Sequence, residues 1–322
     1  MTDDNTPSRR SILLGGAAAL GAAGLGLLPA APAAAATPWW RRGRFPGDPG
    51  NGKIVYGSSM GPQQTVPDFE KGIGTTLGCH RSYFKYVHDE QWRDMRRVAL
   101  DDINNHRVPV ISTKLPGPWQ EVADGKHDGW LRNVAAGLGS VPGPVWFCLH
   151  HEPRGEQTPA AYRAMYKHAA PILHRFPNIA VTPILNGWIW QGGDDVEAWH
   201  IPEADLIGVD DYNPWWTYDT TEPNYRPWKT PERIWGEPIA TCRRWGKPLF
   251  VAEYGVRYAY REPGRSAAWL THAYEYALEQ GLVALSYFNS GVESPNGTWV
   301  LDGERLDTFK NLIHRPESVH MI

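Results

Sequence analysis

The segment Val145-Trp146-Phe147-Cys148-Leu149-His150-His151-Glu152-Pro153 is a short apolar run that stops on a glutamate, and Pro248-Leu249-Phe250-Val251-Ala252-Glu253-Tyr254-Gly255 repeats the arrangement later in the chain. Runs that are apolar on both faces suit parallel strands covered by helices. Six further runs of this kind complete a set of eight, and the predicted strands cover 53–56, 77–84, 108–114, 145–151, 179–185, 206–212, 248–253 and 282–288. Helical patterns fall between them: a stunted helix in 67–74, then 89–105, 130–138, 159–176, a short one at 196–199, one opening at 231, 265–280 and 306–314. Thr158-Pro159 and Thr230-Pro231 each place a capping residue before a proline at the first helical position, where the missing N–H costs nothing. Eightfold strand–helix alternation predicts a (β/α)8 TIM barrel, a single α/β domain, over an open doubly wound sheet. No GxGxxG turn follows the first strand, so a dinucleotide fold has little support.

The chain of 322 residues opens with Ser8-Arg9-Arg10-Ser11-Ile12-Leu13-Leu14, followed by an Ala/Gly/Leu-rich stretch that ends in Ala34-Ala35-Ala36. An arginine pair, a weakly apolar core and a small-residue end read as a twin-arginine export signal removed from the working protein, with a retained membrane anchor as the alternative. The expected organisation is a signal over 1–36, an irregular leader rich in Pro, Gly, Arg and Trp over 37–52, and the catalytic barrel over 53–322. The expected location is secreted. The net charge of −3 gives no electrostatic case for nucleic acid or an anionic membrane surface, and a monomer is the default. Cys79, Cys148 and Cys242 are too few and odd in number for a disulfide framework, so buried free thiols are expected. No CxxC pair or HExxH motif suggests zinc. The chemistry below requires no metal and no cofactor.

Sixteen tryptophans stand out, many in apparent loops: Trp119, Trp188, Trp190, Trp215, Trp216, Trp228 and Trp299. Indole faces suit stacking on sugar rings, although large aromatics mostly serve cores, and only a minority of these are expected to meet a ligand.

Glu152 and Glu253 end the fourth and seventh strands, and the C-terminal ends of barrel strands carry the chemistry of this fold. Two carboxyls across one pocket are the requirement for glycoside hydrolysis, one as proton donor and one as nucleophile in the retaining form. The donor should be surrounded by apolar groups such as Trp146 or Trp188. The attacker should stay ionised, held by a hydroxyl such as that of Tyr212 and by the charge of Arg81. If the strand stays regular, His150 and His151 point opposite ways, one of them structural. Asp210 and Asp211 either bind sugar hydroxyls or brace the loop.

The pattern resembles the clan A retaining glycoside hydrolases. His151-Glu152, Glu253 and Tyr212 look most like glycoside hydrolase family 26, whose best-known members are endo-β-mannanases. The resemblance implies Glu152 as acid/base, Glu253 as nucleophile and His151 near the sugar 2-hydroxyl. The candidate substrate-binding set is His151, Arg81, Tyr212, Asn186, Trp188, Asp211, Tyr254 and Phe288. The implied substrate is a β-linked polysaccharide or oligosaccharide, mannan-like or related. Strand eight departs from the family pattern: it ends Ser286-Tyr287-Phe288-Asn289-Ser290, where relatives often place a tryptophan platform. The departure puts mannan as the substrate in question but not the cleavage chemistry. Two alternatives belong to other classes: a metal-dependent hydrolase using His80, His150 and His151, and a non-catalytic carbohydrate-binding barrel.

Overall fold

The computed structural model describes residues 39–115, 117–292, 294 and 298–321, so the expected signal over 1–36 lies outside the described residues. The strands are β1 (Val55–Met60), β2 (Cys79–Lys85), β3 (Val108–Lys114), β4 (Val145–Cys148), β5 (Ile179–Val181), β6 (Ile184–Asn186), β7 (Ile207–Asp210), β8 (Leu249–Tyr254) and β9 (Ala284–Asn289). The helices are α1 (Val66–Ile73), α2 (Trp92–Asn104), α3 (Trp119–Ala123), α4 (Asp128–Gly139), α5 (Pro159–Leu173), α6 (Trp188–Gln191), α7 (Pro231–Trp245), α8 (Arg265–Gln280) and α9 (Gly303–Ile313).

All neighbouring strands pair in parallel, in the order β5-β4-β3-β2-β1-β9-β8-β7-β6. β5 and β6 are two halves of the expected fifth strand. Pro183 has no N–H to give to a ladder, and the strand changes partner there: Val181 pairs with Phe147 of β4, whereas Ile184 pairs with Gly208 of β7. The Pro183 carbonyl still accepts from the Gly208 amide at 2.8 Å. The two ends of the sheet are thus joined through one strand, and the ring closes as a (β/α)8 barrel.

Other boundaries moved for local reasons. β1 runs beyond the expected 53–56 through Gly57, which reads as a turn residue. A Cβ there would stand 2.0 Å from the Cys79 carbonyl oxygen, so glycine is what lets β1 and β2 approach. β4 stops at Cys148 rather than at 151, because two buried tyrosines of α5 take over its backbone: the Tyr166 hydroxyl accepts from the Leu149 amide at 3.2 Å, and the Tyr162 hydroxyl donates to the His150 carbonyl at 2.7 Å. Thr158 caps α5 by accepting from the Ala161 amide at 3.2 Å. Thr230 occupies the same position before α7 without a side-chain cap bond.

Side chains fill the barrel from within and pack a second layer under the helices. The interior cluster includes Cys79, Val110, Trp146, Cys148, Phe250 and Ala252. The leader is more than irregular chain. It starts with a 3-10 turn at Trp39–Arg41 and presents Phe45 to Trp146, with ring centroids 5.8 Å apart. The Trp146 indole N–H donates to the Pro46 carbonyl at 3.0 Å, and Trp146 meets Phe250 edge-on at 5.2 Å. Trp146 therefore belongs to the floor of the barrel, among leader and interior groups, and not to the surroundings of Glu152. All three cysteines are free and buried.

Candidate active site

The C-terminal ends of the strands converge on Glu253, whose orientation comes from a defect in the sheet. Along β8, Phe250 and Ala252 belong to the barrel interior and Val251 and Tyr254 to the outer layer. Strict alternation would turn Glu253 outward. Val209 pairs with Val251 but the next residue, Asp210, pairs with Glu253, leaving Ala252 as an extra residue in β8. This bulge sends two consecutive side chains inward, as bulges beside functional sites commonly do. Tyr254 consequently points away from the opening. Its hydroxyl donates to that of Tyr56 at 2.9 Å and its ring packs on Trp235, Trp269 and Tyr287, so it is a core residue and not part of the site.

Glu253 is 7% exposed and both its oxygens are held. The Tyr83 hydroxyl donates to Oε1 at 2.6 Å, the Tyr212 hydroxyl donates to Oε2, and an Arg81 terminal nitrogen lies 3.0 Å from Oε1. Arg81, 1% exposed, also forms a two-toothed pair with Asp210 at 2.6 and 3.0 Å and donates to the Ser112 hydroxyl at 3.2 Å. Burial works against the guanidinium charge, but Asp210 and Glu253 outweigh it and push Arg81 well above its ordinary value. Burial, reinforced by Glu253, raises the Tyr212 phenol, so it stays protonated as a donor. A carboxylate held by two phenols and a guanidinium is oriented, and has little freedom to turn from the opening.

Beyond β4 the chain turns sharply. Glu152 has φ of 50°, a left-handed backbone that costs a non-glycine residue on the order of 1 kcal/mol and recurs at functional positions. The Glu152 amide donates to the Ile184 carbonyl at 2.9 Å, which fixes the turn against β6. The two histidines before it separate as the sequence suggests. His150 is the structural one: it bonds the Glu156 carboxylate at 2.7 Å, meets Trp119 edge-on at 5.0 Å, and is pushed down to about 4 by burial and the Lys114 charge. His151 faces the opening beside Tyr83, and burial, helped by Arg81 and Lys114, holds it well below the ordinary histidine value. Its Nδ1 is buried with no hydrogen-bond partner among the described residues.

Glu152 stands where two cavities meet. One, of about 360 Å³, is lined by Met60, Tyr83, His151, Glu152, Glu253 and Phe288. The other, of about 350 Å³, is lined by Glu152, Asn186, Trp188, Asp211, Tyr212 and a pair of cations, Arg226 and Lys229. The structure thus gathers the sequence candidates at one opening except Tyr254, which packs in the core, and Arg81, which is buried behind Glu253 and lines neither cavity, so that it serves the carboxylates and not a sugar. Asn186 also accepts from the Arg154 amide at 3.0 Å. Asp211 accepts from the Gln191 side chain at 2.6 Å, and burial pushes its carboxyl up to about 7. Asp210 is committed to Arg81 and not open to a sugar. Tyr83, Arg226 and Lys229 have no role in the sequence analysis. Tyr83 was readable, since it lies two residues beyond Arg81 on the same strand face.

Of the loop tryptophans, Trp188, 56% exposed, lines the opening. Trp119 and Trp215 are buried, Trp190 donates to Thr241, and Trp228 packs on Trp215 at 5.4 Å. Trp299 is buried beside Tyr212, ring centroids 4.8 Å apart, with the Arg257 guanidinium over its ring at 3.8 Å. Phe288, not a tryptophan, forms the β9 wall of the cavity, and Tyr287 is buried in the outer layer.

The metal alternative meets a geometric obstacle. His80 is engaged with Asp102 on α2 at 2.9 Å and His150 with Glu156, and no three His, Cys, Asp or Glu side chains gather as a metal set among the described residues.

No protein-family model and no curated protein sequence matches the chain. Solved structures do. An endo-β-1,4-mannanase double mutant of Cellulomonas fimi matches with a TM-score of 0.60 at 14% identity, covering 85% of this chain and 74% of that one. GH26C from a Muricauda species matches at 0.60 and 13%, covering 84% and 87%. Thermotoga maritima Cel5A, solved with mannotriose, matches at 0.57 and 13%, covering 80% and 98%. At these identities the likeness is one of fold: the chain shares the (β/α)8 barrel of these enzymes.

Proposed function

We propose that the chain is a retaining glycoside hydrolase acting on a β-linked polysaccharide, with Glu152 as acid/base and Glu253 as nucleophile. The observation that carries the reading is the seat of Glu253: a sheet bulge turns it into a cavity it shares with Glu152, and Tyr83, Tyr212 and Arg81 hold both of its oxygens. The fold likeness to an endo-β-1,4-mannanase, to GH26C and to a Cel5A solved with mannotriose supports the same reading.

The mechanism follows from these parts. Glu152 gives its proton to the glycosidic oxygen as the bond to the anomeric carbon breaks, and Glu253 attacks that carbon to form a glycosyl ester. Glu152, now a carboxylate, takes a proton from water, which hydrolyses the ester with net retention. Arg81 and the two phenols fix the attacking oxygen in line. A neutral His151 contributes a hydrogen-bonding edge without adding a positive charge beside the oxocarbenium-like transition state. Export of the mature chain by a twin-arginine signal, cut after Ala36, belongs to the same proposal.

The test is reducing-end release from a panel of β-mannans, β-glucans and β-xylans, with Glu152→Gln as the blank. The proposal expects release by the native chain that is lost in the blank. Saccharide binding without release, unchanged in Glu152→Gln, would favour the non-catalytic barrel instead.

A further inference from the structure

Resting on the hydrolase reading, the two cavities are not equivalent. Glu253 lines only the one with Tyr83 and Phe288, whereas Glu152 lines both. The sugar that is attacked must sit over Glu253, and the oxygen that is protonated must reach Glu152. The departing sugar therefore lies on the far side of Glu152, in the cavity with Asn186 and Trp188.

That far cavity carries a charge pattern of its own. Lys229 gives its ammonium to the Gln191 side-chain oxygen at 2.9 Å, an amide and not a carboxylate. The Arg226 guanidinium donates to the neighbouring Tyr225 carbonyl at 3.1 Å and its side chain is exposed. Neither cation forms an ion pair among the described residues. The acids nearby are otherwise engaged: Asp210 with Arg81, Asp211 with Gln191 and the Tyr212 amide at 3.0 Å. Burial holds Asp211 up to about 7 against the opposing charge of Lys229, so only part of its charge faces that cation near neutrality. Among the described residues, the cavity with Tyr83 and Phe288 has no lysine or arginine in its lining. Two cations bonded to neutral oxygens and to no carboxylate, beside the exposed Trp188 face, offer a ring platform with an anion clamp at its edge.

We infer that the departing-sugar half of the cleft takes a residue carrying an anionic substituent, a carboxylate or a sulfate ester, held by Lys229 and Arg226. The preferred substrate is then an acidic β-glycan, or one with acidic residues at intervals, over a purely neutral mannan or glucan.

The experiment measures binding by calorimetry to the full chain carrying Glu152→Gln, which cannot turn its ligand over. The probes are β-1,4-linked tetrasaccharides in the manno and gluco series, each with C6 as hydroxymethyl, as carboxylate or as sulfate ester. The expected result is at least about tenfold tighter binding of an anionic form at low salt. Which anionic form gains identifies carboxylate or sulfate. The preference should fall to near unity when Lys229→Met and Arg226→Met are added. It should also collapse on the unaltered Glu152→Gln scaffold at about 0.5 M salt, which keeps the test sound if the added substitutions impair folding. Neutral forms binding as tightly as both anionic forms, or no anionic form binding in either series, overturns the inference. The hydrolase reading fails on a different result: no reducing ends released from any of these probes by the native chain.

Discussion

The Tyr83 hydroxyl lies 2.6 Å from Glu253 Oε1, across the mouth from β2 to β8, while Tyr212 of the loop after β7 grips the other oxygen. Two phenols on one carboxylate leave it a single productive orientation. Loss of a hydrogen bond to a charged group costs about 1.5–3 kcal/mol. Tyr83→Phe and Tyr212→Phe are each expected to lower kcat by roughly 10- to 100-fold with little change in KM. Steady-state kinetics on the best substrate of the panel checks this, and a change under about twofold in both variants, small against that energy, would remove the orienting role.

Arg81 is a buried cation between two carboxylates. Arg81→Met leaves Asp210 and Glu253 facing each other without it, and breaking such a pair costs on the order of 3–5 kcal/mol of stability. Adding Asp210→Asn removes one of the stranded charges. Denaturant unfolding should therefore find the double variant more stable than Arg81→Met alone, and a double variant that is less stable would contradict the coupling.

Asp211 sets a pH dependence of stability. Its folded value is about 7 against an ordinary value of 3.8. Below the ordinary value both folded and unfolded chains hold the proton, and no difference arises. Between the two values the unfolded chain releases the proton while the folded chain retains it, so stability falls as pH rises and levels off above about 7. At ~1.4 kcal/mol per pKa step the loss is at most about 4 kcal/mol, less because Asp211 keeps some contact with solvent. Urea unfolding at about pH 5 and about pH 8 should show this decline in the native chain and a flatter profile in Asp211→Asn.

Tyr254 adjoins Glu253 in sequence but faces the helices. Tyr254→Phe is expected to leave kcat/KM unchanged and to cost about 1 kcal/mol through the lost bond to Tyr56. A large fall in kcat/KM with stability intact would return Tyr254 to the site.

The contrast between these two neighbours marks what a sequence reveals here. Eight apolar runs between turn residues are enough to read the ring of strands, and Glu152 and Glu253 at run ends are enough to suspect the pair. The facing of Glu253 is another matter. Alternation from Phe250 would turn Tyr254 inward and Glu253 outward, and the reversal at Ala252 arises from pairing with β7, which local sequence does not encode. The break of the fifth strand was legible at Pro183, and Tyr83 was legible from its period-two relation to Arg81. The early end of β4 was not, because it depends on hydroxyls brought in by α5. Trp146 illustrates the same limit: its place at the barrel floor follows from the leader folding back on it.

The account stands on Glu253 as the attacking group. Incubating the native chain with a 2-deoxy-2-fluoro β-glycoside of the sugar it cleaves, then mapping the inactivated protein by peptide mass, tests this most directly. The predicted result is a single sugar adduct, on the peptide containing Glu253, that slowly disappears as activity returns. An adduct on another carboxylate, or normal turnover with inversion and no adduct at all, would contradict it.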